Sequence, residues 1–391
     1  MSNTSELTLS GLYIHIPYCK QVCFYCDFHF RVAMKDKPTM LAAMQKEIAL
    51  RKDYLADCEN RTGRKNIETL YFGGGTPSVL SIGELDALRN TIDKYYVLAS
   101  DAEITFEANP DDLTDEYLDG LRKLGINRLS IGIQSFYDDD LRWMNRRHTG
   151  REAVLSIEAA RRKGFNNINI DLIYGLPTMS QNQWMSNLRQ AFDLDVPHLS
   201  AYHLTIESRT VFGRRQEKGE NFSLPEDESV RQFEILIDAA EKAGLEHYEI
   251  SNFAKPCFYS RHNSSYWRHR PYIGIGPSAH SYDGTSRQWN VGNNSRYIEA
   301  LGNEHGWFER ECLSLSDKYN DYILISVRTS WGVDPEYILE NFGTSFLETF
   351  LKQASVYLQN GFMEKRTETY VLTRKGKLIA DRIASDLFSV E

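Results

Sequence analysis

Six short runs rich in β-branched and aromatic residues recur up to residue 204: "LYIHI" (12–16), "TLYFG" (69–73), "EITFEA" (103–108), "RLSIGI" (128–133), "INIDLI" (168–173) and "HLSAYHL" (198–204). Between them lie stretches with the spacing of amphipathic helices, among them "TMLAAMQKEIALRKDYLADC", "GELDALRNTIDKYY", "TDEYLDGLRKLG", "EAVLSIEAARRKG" and "NQWMSNLRQAFDL". Strands that alternate with helices are joined by crossovers, and a crossover makes the strands it connects parallel. The expected class is therefore α/β, either a doubly wound sheet or a full or partial β/α barrel.

Reading each run to its C-terminal end collects polar groups at one rim. These are a cysteine-rich loop after the first, "GGGTP" after the second, Glu107 at the third, Gln134 at the fourth, Asp171 at the fifth and Thr205 after the sixth. The C-terminal face of a parallel β/α structure is where active-site loops gather, so one cavity is expected there.

The texture changes further along. Residues 1–225 read as the β/α core, and 226–313 as a connecting segment that opens with the helical "EDESVRQFEILIDAAEKAG" and becomes rich in Gly, His and aromatic residues. Residues 314–391 read as three helices, two strands and a closing helix, the order of a winged-helix-like α+β domain. Such folds often bind DNA, but the net charge of −9 and the absence of a basic recognition face point to docking or covering instead. "RRHTGR" and "ARRKG" are local basic patches that suit solvated helix faces, and no nucleic-acid partner is expected.

The first residues, "MSNTSELTLS", lack a basic start and an apolar core segment, and no stretch approaches ~18 uninterrupted apolar residues. A soluble, cytoplasmic protein is expected. In a reducing compartment six cysteines are thiols or metal ligands rather than disulfides, and Cys58, Cys257 and Cys312, scattered singly, are expected to be buried small side chains.

Cys19, Cys23 and Cys26 are different, because "CKQVCFYC" crowds three thiols into one loop. A structural zinc site usually closes with four ligands, so zinc would have to recruit His15 or His29. An iron-sulfur cluster held by three thiolates would keep one iron open, with Phe24 and Tyr25 to shield it from water.

CxxxCxxC at this place, with "YIHIPYC" before it, "YFGGGTPS" after the second strand and "DLIYGLP" on the fifth, resembles the radical S-adenosylmethionine (SAM) superfamily. The resemblance implies a partial (β/α)6 barrel and a [4Fe-4S] cluster on Cys19, Cys23 and Cys26, with SAM as the ligand of the fourth iron. It implies that Gly73, Gly74, Gly75 and Thr76 bring backbone close to the methionine amino group, where a side chain would collide. Glu107 is then expected at the positive centre or hydroxyls of SAM, Gln134 and Asp171 at the ribose, Arg146 at the carboxylate, and Tyr13 and Tyr25 near the methionine and adenine.

The similarity extends over almost the whole chain to the coproporphyrinogen III oxidase-like branch, which holds an oxygen-independent oxidase and a haem chaperone. In the oxidase pattern a fourth cysteine stands two residues after the third, where this chain has Phe28, and an N-terminal extension helps enclose the substrate, where only eighteen residues precede Cys19. "CDFHF" and "HNSSYW" (262–267) resemble the chaperone, and the resemblance implies haem at His262, Tyr266 and Trp267. "GIGPSAHS", with His280, is a further shared segment whose glycines also suit a plain turn. The expected function is binding of haem and its transfer to an acceptor protein, a membrane protein being one such acceptor. The alternative is a radical SAM enzyme acting on a porphyrin-like substrate. A zinc-stabilised interaction protein would leave the glycines and carboxylates of the rim unexplained.

Overall fold

The computed structural model describes residues 10–54, 65–222 and 224–389. All six expected strands form: β1 (Ser10–Ile16), β2 (Lys65–Gly74), β3 (Tyr96–Ala108), β4 (Arg128–Gln134), β5 (Asn167–Tyr174) and β6 (His198–His203). They lie side by side in chain order, and every neighbouring pair is parallel. A doubly wound sheet would reverse its order at a switch point, so the sequential order decides between the two expected architectures. The barrel is partial. Beyond β1 the sheet continues with β9 (Tyr272–Ile275), β10 (His280–Tyr282), β11 (Ser286–Asn290) and β12 (Phe308–Cys312), and beyond β6 with β8 (Asn252–Ala254) and β7 (Glu246–Glu249). The segment 226–313 thus adds strands to both sides of the sheet that the first 225 residues begin.

Helices Lys37–Leu50, Ile82–Tyr95, Asp115–Lys123, Gly150–Arg162 and Gln181–Asp193 fill the connections. Three of them start on capping boxes, Ser81 with Glu84, Thr149 with Glu152 and Ser180 with Gln183, in which each side chain satisfies a backbone N–H of the other residue. The helix expected over 39–58 ends at Leu50, and Cys58 lies outside the described residues.

Strand alternation gives the sheet two unlike faces. Leu12, Ile14, Leu70, Phe72, Phe106, Leu129, Ile131, Ile170, Leu172 and Leu199 are buried in one core with the helix residues Met44, Leu88, Leu121, Ile157 and Leu188. Each such aliphatic or aromatic side chain contributes about 1.5–3 kcal/mol. The alternate positions, such as Tyr71, Glu107, Arg128, Ser130, Asn169, Asp171 and Ser200, face a cavity. A side chain reverses face at every residue along a strand, so polar residues at every second position make the concave wall polar while the outer wall stays apolar.

The C-terminal part has a second apolar cluster around Tyr319, Ile323, Ile338, Phe350, Met363 and Ile383. Helices Leu315–Val327, Pro335–Phe342 and Thr344–Gln359 precede the antiparallel pair β13 (Met363–Arg366) and β14 (Thr369–Leu372), as expected. The expected closing helix is two short pieces, Arg374–Lys377 and Ala380–Asp386. Cys257 and Cys312 correct the sequence reading, for both are exposed. Cys257 has φ +70° in a turn closed by Phe258 N–H donating to Lys255 O, and Cys312 ends the outermost strand of the sheet, β12.

Candidate functional site

A cavity of about 380 Å³ opens at the C-terminal ends of β1 to β6. The loop after β1 forms its lip. The base of that loop is pinned where Cys19 N–H donates to Arg31 O (3.0 Å) and Arg31 N–H to Pro17 O (2.9 Å). Its tip is tied to the segment after β4 by Phe24 N–H to Met144 O (3.1 Å), Gln21 Nε2 to Asn145 O (2.8 Å) and Asn145 Nδ2 to Val22 O (2.7 Å). Cys19, Cys23 and Cys26 all line the cavity as free thiols.

Two side-chain donors meet those sulfurs: Thr76 Oγ1 donates to Cys19 Sγ (3.1 Å) and Arg146 Nη1 to Cys23 Sγ (3.3 Å). Burial pushes the Cys19 thiol up to about 12, against the Thr76 hydrogen bond, and the Cys26 thiol up to about 11, against the Phe28 N–H. Metal binding must displace those protons, since thiolates are the ligands. His15 and His29, the residues that zinc would have recruited, are engaged elsewhere: His15 Nε2 bonds His29 O (2.9 Å) and His29 Nε2 bonds Asn294 Oδ1 (2.7 Å).

"GGGTP" passes directly beneath the cysteine loop. Gly74 has φ +109°, which a side chain rarely tolerates, and a Cβ on Gly75 would stand 2.7 Å from Tyr18 O and 3.0 Å from Ile16 O. The atoms that demand glycine at 75 are thus the chain's own backbone. The same packing lines the cavity with Gly74, Gly75 and Thr76.

Glu107 and Asp171 sit inside, together with Gln134, whose φ is +67° where β4 ends. Burial lifts Glu107 to about 7; the hydrogen bond from Tyr71 OH (2.6 Å) opposes the rise and the charge of Asp171 adds to it. Burial also raises Asp171, while hydrogen bonds with Asn169 and Ser200 hold it back. Asn169 Nδ2 donates to both Asp171 Oδ1 and Ser130 Oγ (2.8 Å each), so three adjacent strands share one polar network. Arg146 is largely committed, its Nη2 donating to Asn109 Oδ1 and Gly132 O (2.7 Å each), which leaves it as a brace for Cys23 with one partnerless buried atom, Nε.

Of the two tyrosines, Tyr25 lines the cavity and Tyr13 does not. Tyr13 packs instead against His15, Tyr71 and His262. The motif "HNSSYW" forms the helix Arg261–Trp267, in which His262 is buried and both ring nitrogens are taken: Nδ1 pairs with Thr69 Oγ1 and Nε2 with Tyr266 OH, each at 2.7 Å. Burial and the charge of Arg128 lower its pKa to about 3, so the ring is neutral. In this arrangement a hydroxyl stands at each nitrogen of the His262 ring. Tyr266 packs edge-on to Tyr272 (4.5 Å), and Trp267 lies near Tyr248 (5.6 Å) and Trp331 (6.3 Å). His280 is exposed on β10, away from the cavity.

Several lining residues escaped the sequence reading: Arg128, Ser130, Asn169, Ser200, Tyr202 and Asn263. For the strand residues the signal was present. In "RLSIGIQ" and in "INID" at the start of the fifth run every second residue is polar or small, whereas a parallel strand covered on both faces reads as a continuous apolar run. Asn263 had no such signal, since it comes from a helix remote in sequence. Arg128 is 1% exposed, its Nε has no hydrogen-bond partner, and the Glu103 carboxylate stands 4.0 Å away.

The radical SAM superfamily model matches residues 13–191. Curated relatives include the heme chaperone HemW of Bacillus subtilis, 33% identical over 96% of this chain and 98% of its own length. HemW of Lactococcus lactis is 34% identical over 94% of each chain, and HemW of Escherichia coli 40% identical over 69% of each. Among solved structures, coproporphyrinogen III oxidase (HemN) from Escherichia coli superposes with a TM-score of 0.84 over 98% of this chain and 90% of its own, at 23% identity, which establishes a common fold. Sequence relatives at this identity and coverage, over a parallel β/α sheet with three thiols at its C-terminal rim, make this chain a member of the HemW family of the radical SAM superfamily.

Proposed function

We propose that this protein is a haem chaperone, which takes up haem and passes it to an acceptor protein, and that it carries a [4Fe-4S] cluster on Cys19, Cys23 and Cys26 with SAM beside it. One observation carries the cofactor part: three thiols on one loop face a cavity walled by Gly74, Gly75, Glu107, Gln134 and Asp171, and no fourth thiol is among its lining residues. Such a donor set suits a cluster with one iron left to a small-molecule ligand. When bound, the cluster supplies an electron and SAM supplies the fourth ligand. Thr76 and Arg146 donate hydrogen bonds to the Cys19 and Cys23 sulfurs, Gln134 and Asp171 suit the ribose hydroxyls, and Glu107 suits the positive end of SAM.

The chaperone part rests on the names of the relatives and on Phe28. That side chain is 73% exposed beside the thiols, at the place where the oxidase pattern has its fourth cysteine. The division into a core (1–225), a connecting segment (226–313) and a C-terminal domain (314–391) belongs to the same reading, supported by the separate apolar cluster of the last part. Among the described residues no helix is long and apolar enough to cross a membrane. A membrane-embedded acceptor would therefore be met through a surface of this chain.

The test is anaerobic reconstitution followed, on one sample, by iron and sulfide analysis, haem titration and incubation with SAM, reductant and coproporphyrinogen III. Expected are one cluster per chain, lost when all three cysteines become alanine, saturable haem binding, and no protoporphyrinogen IX. Formation of protoporphyrinogen IX would establish the oxidase instead, and stoichiometric zinc without reconstitutable iron would remove the cluster.

A further inference from the structure

We propose that the "HNSSYW" helix is the floor of the cofactor cavity and that His262 is a positioning residue for it, acting through Tyr71 on Glu107; this rests on the reading of the cavity as the SAM site. The helix closes the end of the partial barrel opposite the cysteine loop, where its residues meet the concave faces of the early strands. A Cβ on Gly11, at the start of β1, would touch the His262 ring at 3.2 Å, and Thr69, which pairs with Gly11 across β1 and β2, bonds that ring. Glu103 on β3 holds the helix by its N-terminus, accepting from Arg261 N–H (3.1 Å) and His262 N–H (3.0 Å). Those two N–H groups have no partner within a helix, and a carboxylate is well placed to satisfy them. Asn263, the next residue, lines the cavity, and its side-chain amide makes no hydrogen bond among the described residues.

The line of contacts from floor to rim is short. His262 stacks on Tyr71 with ring centroids 4.9 Å apart, and Tyr71 OH donates to Glu107 Oε1 at 2.6 Å. Glu107 is where the expected positive group of the cofactor would meet the wall. The Tyr71 hydroxyl reaches Glu107 only while its ring keeps its place, and the ring is held from below by an imidazole fixed at both nitrogens. A histidine suits this position because, as a flat neutral ring, it donates to one hydroxyl and accepts from another while stacking on an aromatic face.

The proposal separates the motif from the iron of haem, and the experiment reads that separation. Anaerobically reconstituted wild type, Tyr71→Phe, His262→Gln and the double variant are titrated with SAM by equilibrium dialysis and with haem by the Soret band. Each single change is expected to weaken SAM binding about tenfold, the scale of one charge-assisted hydrogen bond. The double variant should fall no further than the worse single, because both cut the same line of contacts. Haem affinity and the Soret spectrum of His262→Gln should stay at the wild-type values. Additive losses overturn the proposal, as does unchanged SAM affinity in Tyr71→Phe. Loss of haem binding by His262→Gln with SAM affinity intact overturns it too, and makes His262 an iron ligand reached by rearrangement. If His262→Gln does not fold, Thr69→Val, which removes the hydroxyl at Nδ1 and keeps the volume, must show the same SAM loss as Tyr71→Phe; normal SAM binding there refutes the line. A wild-type protein that binds no SAM removes the cofactor reading and this proposal with it.

Discussion

Replacing Glu107 with Gln separates what this carboxylate does to the fold from what it offers the cavity. Burial raises its pKa from 4.5 to about 7 in the folded protein, while the unfolded chain titrates near the ordinary value. The folded state therefore holds the proton more tightly. As pH rises through 4.5 the unfolded chain releases its proton first, so the folded state loses stability progressively until about pH 7 and no further above it. A shift from 4.5 to about 7 is worth about 3 kcal/mol, of which about 2 kcal/mol falls between pH 5.5 and pH 8. Gln has nearly the same shape, still accepts from Tyr71 OH, and never ionises. The cofactor-free Glu107→Gln protein should thus resemble wild type near pH 4.5 and be the more stable of the two at pH 8. In thermal unfolding of cofactor-free samples, the gap in Tm should widen by a few degrees from pH 5.5 to pH 8. If Glu107 meets the positive end of SAM as proposed, SAM affinity should change in the opposite sense and weaken in Glu107→Gln, because the variant lacks the charge that the ligand would meet. A Tm gap that stays flat with pH would refute the reasoning and mean that the charge is already compensated in the fold, with Arg128 the cation that does so.

Gly75→Ala should cost about 1–3 kcal/mol, since the new methyl meets the rigid oxygens of Tyr18 and Ile16 rather than a side chain that swings away. It should also lower the iron retained after reconstitution, because Tyr18 leads into the cysteine loop; wild-type Tm and iron content would show that the loop moves freely. Thr76→Val should lower the reduction potential of the cluster, because the hydroxyl that donates to Cys19 Sγ at 3.1 Å stabilises the more negative reduced state. A redox titration that finds the wild-type potential would contradict it.

The strands were readable because their signal is local. "RLSIGI" and "INIDLI" carry β-branched residues whatever surrounds them, and the helical spacing of "GELDALRNTIDKYY" and "EAVLSIEAARRKG" is equally local. The cysteine loop was readable for the same reason, as three thiols within eight residues converge without help from the rest of the chain. The state of His262 was not readable. Tyr266, at one ring nitrogen, lies within "HNSSYW", but Thr69, at the other, and Tyr71, stacked on the ring, lie 193 and 191 positions away, and the motif alone says nothing of either. Arg146 behaves likewise: "NRRH" looks like a surface patch, and only the packing of the segment after β4 under the cysteine loop turns this guanidinium inward onto Cys23.

By itself the sequence determined the class of fold, the chain order of six strands, the rim that carries the chemistry and the thiols on it, because each of these depends on residue type and spacing within one segment. Only the tertiary structure decided that the sheet stays open and continues through strands on both sides, that a helix from the connecting segment floors the cavity, and that Glu107 stands uncharged or charged according to what shares its burial. Pairing at a sheet edge, the occupation of a side chain's hydrogen bonds and the pKa of a buried acid are set by whichever distant groups come to lie within a few ångströms. Those distances exist only once the chain has folded.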